Sequence, residues 1–243
     1  MYASGSTWLF NAAHAVAAEL HPELQYQKAY LENLSGLTRL PPGHVVVKSH
    51  HLSAGVARLV LARSGRILVS LRDPRDAVTS LMQHMGHDFV QALRQVERSA
   101  LFCAHYAKHE RATLFIYEQG FTEHPETFDR LAGCFGLTLP EIARETLFAA
   151  FRRHIIEAQI AKLKNAPTSW RNPVNGDLVD TATQWHAHHA GRTGEPGRWR
   201  QFLSEANVQL IEMRLANFMA TFGYGPEACH AKLKPFPTSN AEK

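Results

Sequence analysis

Three short apolar runs, at 44–48 (HVVVK), 66–71 (RILVSL) and 112–117 (ATLFIY), constrain this chain most. Each is rich in β-branched or aromatic residues, and each is separated from the next by segments of helical period, at 54–63, 74–85 and 89–108. Runs of this kind suit parallel strands covered on both faces, and the strand–helix–strand order implies right-handed crossovers. A first helix is predicted over 7–20. Two more, at 125–135 and 140–151, open on proline, whose missing N–H is harmless in a first turn. Ser204 caps a last helix over 206–222, closed by Gly223. Residues 1–3 stand where a strand would lead into the first helix, but they are too few to make a full one. The expected fold class is α/β: a parallel sheet of about four to five strands flanked by helices, with the first strand truncated.

At 243 residues, one domain over 1–231 with a fraying polar tail at 232–243 fits the length. Residues 165–200, rich in Gly, Pro, Asn and Thr and without period, read as a long lid or loop. The net charge is only +4 and no run of five basic residues occurs, so no nucleic-acid partner is expected. With no leader pattern and no run of 18 apolar residues, neither is a membrane span. Cys103, Cys134 and Cys229 are odd in number and widely spaced, which gives neither a disulfide framework nor a metal pair and suits reduced thiols in the cytoplasm. Oligomeric state leaves no signature.

Four segments could carry chemistry. Ser4-Gly5-Ser6-Thr7-Trp8 opens the first helix with small, hydroxyl-bearing residues, leaving backbone N–H groups free for an anion; no Gly-Lys-Ser/Thr closes it, which argues against ATP or GTP hydrolysis. Lys48-Ser49-His50-His51 ends a strand with a cation and two possible bases. Arg72 ends the next strand, at the carboxyl edge where open α/β sheets bind ligands, and Ser80 follows eight residues later. Downstream, Arg192-Thr193-Gly194 through Trp199 combines glycines with guanidinium groups. Each has an ordinary alternative: a plain N-cap, loop histidines, an Arg72–Asp76 pair, a surface turn.

Taken in order, the four resemble the signature segments of the sulfotransferases that use 3′-phosphoadenosine 5′-phosphosulfate (PAPS), a family with a P-loop-NTPase-like sheet. The resemblance runs from Ser4 to about residue 202. It implies that Ser4, Gly5, Ser6 and Thr7 hold the 5′-phosphosulfate, with Trp8 near the adenine. It further implies that His50 is the catalytic base, with His51 in reserve, and that Lys48 lies near the transferred group. Arg72 and Ser80 then bind the 3′-phosphate, Tyr117 lies beside the nucleotide, and Arg192, Thr193 and Gly194 close over it. The implied activity is sulfuryl transfer from PAPS to a hydroxyl or amine on a small-molecule, glycan or lipid acceptor.

Two departures stand out. Ala3 occupies the place where the family carries Lys or Arg, and the first strand is missing. A non-catalytic PAPS- or PAP-binding relic is therefore the alternative reading (PAP being 3′,5′-adenosine bisphosphate). The family needs no metal and none is expected here. The spacing of His186, His188 and His189 suits zinc, but with no cysteine or fourth ligand adjacent the segment reads as a solvated histidine-rich loop.

Overall fold

The computed structural model describes residues 1–33, 36, 38, 40, 42–166, 169–172, 176–189 and 194–225. Helix α1 (Ser6–Leu20) comes first. It is followed by β1 (Gln27–Tyr30), β2 (Val45–Lys48), α2 (Ala54–Arg63), β3 (Ile67–Leu71), α3 (Pro74–Met85), α4 (Phe89–Ala107) and β4 (Ala112–Ile116). Then come α5 (Glu126–Cys134), α6 (Glu141–Ala150), α7 (Arg153–Ala161), β5 (Ser169–Arg171), β6 (Leu178–Asp180), α8 (Trp199–Phe202), α9 (Glu205–Arg214) and α10 (Ala216–Phe222).

The parallel pairing is as expected, but its extent is not. β1 pairs with β2 from Gln27↔Val45 to Tyr30↔Lys48, and β3 with β4 from Ile67↔Ala112 to Leu71↔Ile116. Among the described residues no strand links the two pairs, so the single sheet of four to five strands is replaced by two parallel pairs and a small antiparallel one, β5–β6. Residues 1 and 2 lie between the two pairs. The Met1 ammonium donates to the Ser70 carbonyl of β3 at 3.0 Å, while the Tyr2 ring stacks on His50 beyond β2. Residues 1 and 2 thus touch both pairs without forming a ladder with either.

Apolar side chains alternate across β3 and β4. Val69 and Leu71 face a core shared with α3, α4 and the C-terminal helices, with Val78, Leu93, Val96 and Leu215 among its buried members. Phe115 faces a second core with α1, Phe121, Phe128, Leu131 and Trp185. Burial on both faces is what makes these strands read as unbroken apolar runs. Phe128 is fully buried and meets Trp8, Phe148 and Phe151 edge-on. Phe128→Ala is expected to destabilise the fold by about 3–5 kcal/mol, read as a lower midpoint in denaturant with unchanged slope.

Elsewhere the chain departs from its sequence pattern. The helix predicted over 206–222 is two helices meeting at Leu215, whose φ of −114° is off the helical value. The stretch expected to be irregular over 165–200 contains the antiparallel β5–β6 pair, whose strands of three residues each are too short to give a periodic run. Residues 232–243, Cys229, Arg192 and Thr193 lie outside the described residues. No helix among the described residues is long and apolar enough to cross a membrane.

Candidate functional site

The site forms where the parallel strands end. Helix α1 begins at Gly5, whose φ of +72° is left-handed and which offers its own first turn no side-chain cap. Ala3 is also left-handed, at φ +53°, an uncommon conformation for a residue with a Cβ. Its carbonyl accepts from Arg72 Nη1 at 2.9 Å. Ser4 is fully buried, and its hydroxyl donates to the Met1 carbonyl at 2.7 Å and lies 2.8 Å from Ser70 Oγ. The loop is therefore fixed to β3, and the first N–H groups of α1 point past it.

Lys48 ends β2 and is buried, 6% exposed. Its Nζ donates to Thr7 Oγ1 in the first turn of α1 at 2.6 Å and lies 5.7 Å from the Tyr30 ring centre. No carboxylate among the described residues pairs with it, and burial lowers its pKa to about 7. A cation held at the positive end of a helix is repelled by that helix as well as desolvated, and one anion there would relieve both penalties.

His50 stacks on Tyr2 at 4.0 Å, and its Nδ1 is shielded from solvent with no partner among the described residues. Burial pushes its pKa well down, helped by the Lys48 charge, the chain's N-terminal ammonium, His186 and His189. The ring is accordingly a neutral base at physiological pH. His51 instead faces the surface, its Nε2 accepting from Arg98 at 2.6 Å. Geometry favours His50 over His51.

Arg72 is buried at the end of β3. Its Nη2 donates to the Gly194 carbonyl at 3.0 Å, and its guanidinium lies 4.4 Å from the Tyr117 ring centre. Gly194 has φ +60°, and a Cβ there would fall 2.3 Å from the Tyr117 hydroxyl, so the loop approaches that ring as only glycine allows. Asp76 anchors the loop, accepting from Gly197 N at 2.6 Å and Trp199 N at 2.9 Å. Asp76 thus makes no direct ion pair with Arg72, the ordinary reading of the spacing, although its pKa, raised by burial, is still drawn down by the Arg72 charge. Asp73, buried, pairs with Arg75 at 2.7 Å, and Glu118, its pKa raised by burial to about 7, accepts from Asp73 N and Tyr224 Oη.

Arg72, Ser80, His84, Gly194 and Arg198 line a crevice of about 20 Å³. Two shielded nitrogens among its lining residues, Arg72 Nε and His84 Nδ1, lack partners among the described residues. The donors suit a phosphate, but the space holds one water. A phosphate, being larger, would have to displace the 194–198 loop from the carbonyl and carboxylate contacts just described.

Trp8, expected near the adenine, is held in the core. It is 7% exposed, packed edge-on against Phe121, Phe128 and Phe151, and its Nε1 donates to the Phe151 carbonyl at 3.1 Å, which makes it a core anchor of α1. The sequence reading missed Asp177 and Tyr2, and it gave Asp76 a different partner. Asp177 Oδ2 lies 2.7 Å from His186 Nδ1 and 2.8 Å from His188 Nδ1, a contact invisible in a sequence that separates the carboxylate from the histidines by a hairpin turn.

No protein-family model matches the chain, and no curated protein matches it in sequence. Among solved structures, the chain is similar to mouse sulfotransferase SULT7A1 complexed with PAP, with a TM-score of 0.62 at 13% identity over 91% of this chain and 82% of that one. It is also similar to retinol dehydratase in complex with androsterone and inactive cofactor PAP, with a TM-score of 0.52 at 18% identity over 76% of this chain; the match spans only 56% of that protein's length. The chain has the sulfotransferase fold.

Proposed function

We propose that this chain binds PAPS and transfers its sulfuryl group to a hydroxyl or amine acceptor. The observation that carries the reading is Lys48, a buried cation without a carboxylate partner among the described residues, held by Thr7 at the uncapped start of α1 and on the same strand end as the neutral base His50. The likeness in fold to two PAP-bound structures supports the nucleotide class.

In this reading the acceptor oxygen attacks sulfur in line while His50 takes its proton. As the new S–O bond forms, the S–O bond to the 5′-phosphate breaks, and the electron pair stays on the phosphate oxygen. That charge develops beside Lys48 Nζ and the first N–H groups of α1, groups already oriented for it. Lys48 thus supplies the cation that Ala3 lacks. Arg72, with Ser80 and Arg198, receives the 3′-phosphate once the 194–198 loop lifts, and Tyr117 flanks the nucleotide; Arg192 and Thr193 complete the closure.

Arg72→Gln is expected to weaken PAP binding about 10- to 100-fold, the loss of about 1.5–3 kcal/mol for a charge-assisted hydrogen bond, read by calorimetry. Unchanged affinity would remove Arg72 from the 3′-phosphate site. The function itself is tested by calorimetry with PAP beside transfer of labelled sulfate from PAPS across a panel of phenols, sterols, sugars and amines. Binding with turnover supports the enzyme. Binding without turnover across the panel marks the non-catalytic relic that Ala3 makes conceivable, and absence of both discards the reading.

A further inference from the structure

We infer that Asp177, His186 and His188 form a binding site for one divalent transition-metal ion of the zinc class. One ligand atom from each lies within 4.8 Å of the others, and both imidazole Nδ1 atoms converge on the same carboxylate oxygen, at 2.7 and 2.8 Å. All three side chains are largely withdrawn from water, 10%, 23% and 17% exposed in that order.

A solvated histidine-rich loop would not hold this arrangement; a rigid hairpin does. Val179 and His186 bridge antiparallel, and Asp180 N donates to the Trp185 carbonyl at 2.9 Å. The turn between them is closed by Thr183 Oγ1 donating to Asp180 Oδ2 at 2.6 Å. Trp185 is buried in the second core, and Asn11 Nδ2 donates to the Thr183 carbonyl at 2.8 Å, which pins the hairpin to α1. A short 3-10 turn, Ala187–His189, then brings His188 back onto Asp177.

Donor type selects the ion. Two imidazole nitrogens and one carboxylate oxygen favour zinc-class ions over calcium or magnesium, which prefer all-oxygen shells. Three protein ligands leave a fourth position open. With bonds of about 2.0–2.1 Å, tetrahedral ligand atoms stand about 3.3 Å apart, so each carboxylate–imidazole spacing has to widen by about 0.5 Å. His189 stays outside the set, because its Nδ1 already accepts from His186 N at 3.3 Å. The ion's place is in ordering the hairpin that immediately precedes the 190–193 segment, and it takes no part in the sulfuryl step.

The test uses full-length protein without a histidine tag, stripped with chelator and titrated with Zn²⁺ by calorimetry, with Co²⁺ visible spectra as a second probe. One zinc per chain is expected. Asp177→Asn and His188→Ala should each weaken it more than the about 10- to 100-fold that loss of a mere supporting partner produces. Circular dichroism of the metal-free variants checks that they fold. Should either fail to fold, ¹H–¹⁵N imidazole spectra of the unaltered protein decide, with zinc-dependent shifts expected at His186 and His188 Nδ1. No saturable binding, or binding that both replacements leave unchanged, or shifts confined to other histidines, overturns the site. PAP affinity is measured separately, so failure here leaves the nucleotide proposal standing.

Discussion

Replacing His50 with alanine is expected to reduce sulfuryl transfer from PAPS by about 10²- to 10⁴-fold, the usual contribution of a positioned general base, while PAP affinity stays near that of the unaltered protein. The split follows from geometry. His50 meets Tyr2 and Tyr30, whereas the groups assigned to the phosphates are the first turn of α1, Lys48 and Arg72. His51→Ala is the matched control: its ring is tied to Arg98 at the surface, and activity should change little. Both rates are read as kcat with saturating PAPS. If the His50 variant keeps full activity, the base lies elsewhere; if it loses PAP affinity in parallel with rate, the histidine holds nucleotide rather than acceptor.

The pH dependence separates these roles further. Burial and the surrounding positive charge hold His50 well below its ordinary pKa, so it stays an available base from neutral pH downward into mild acid. Any fall in rate above neutrality therefore belongs to another group, and Lys48 and Glu118, each brought to about 7 by burial, are the two site groups in that range.

The parts of this site legible in the sequence are those whose chemistry sits at a strand end. Lys48, Arg72 and Tyr117 each follow an apolar run, and parallel pairing alone brings such positions to one edge, which is why Arg72 reaches both Tyr117 and the α1 loop. What escaped depends on contacts that no local pattern encodes. β1 (QKAY) lacks a strand's apolar signature because Lys28 reaches across to Asn11 and Tyr30 to Glu32, so only its pairing with β2 reveals it. Asp76 looked like a partner for Arg72 by spacing along α3, yet its carboxylate is consumed by two N–H groups more than a hundred residues away. The surroundings of Trp8 are likewise set far along the chain: Phe121 in a turn, Phe128 in α5 and Phe151 just past α6 pack against it. Composition could not distinguish an indole that stacks on a ligand from one that anchors a helix.

Lys48→Met is expected to separate stability from activity most sharply. Removing a preorganised charge that meets a developing anion lowers kcat by about 10²- to 10³-fold. The same change should stabilise the free protein, because Lys48 is a buried cation facing a helix N-terminus with a hydroxyl as its hydrogen-bond partner. The linkage fixes the sign. With a folded pKa near 7 against an ordinary 10.5, the unfolded chain binds more protons over that interval, so this residue's contribution makes the unaltered protein gain stability as pH rises from about 7 toward 10.5. The variant loses that slope, and its advantage should be largest near or below pH 7 and vanish above about 10.5. Bound PAP reverses the comparison, since the 5′-phosphate supplies the anion that Lys48 lacks and pulls its pKa upward. Melting the two proteins with and without PAP between pH 6 and 10 reads all of this. Equal stabilisation of both by PAP would mean that Lys48 does not face the nucleotide, and the leaving-group role would fall with it.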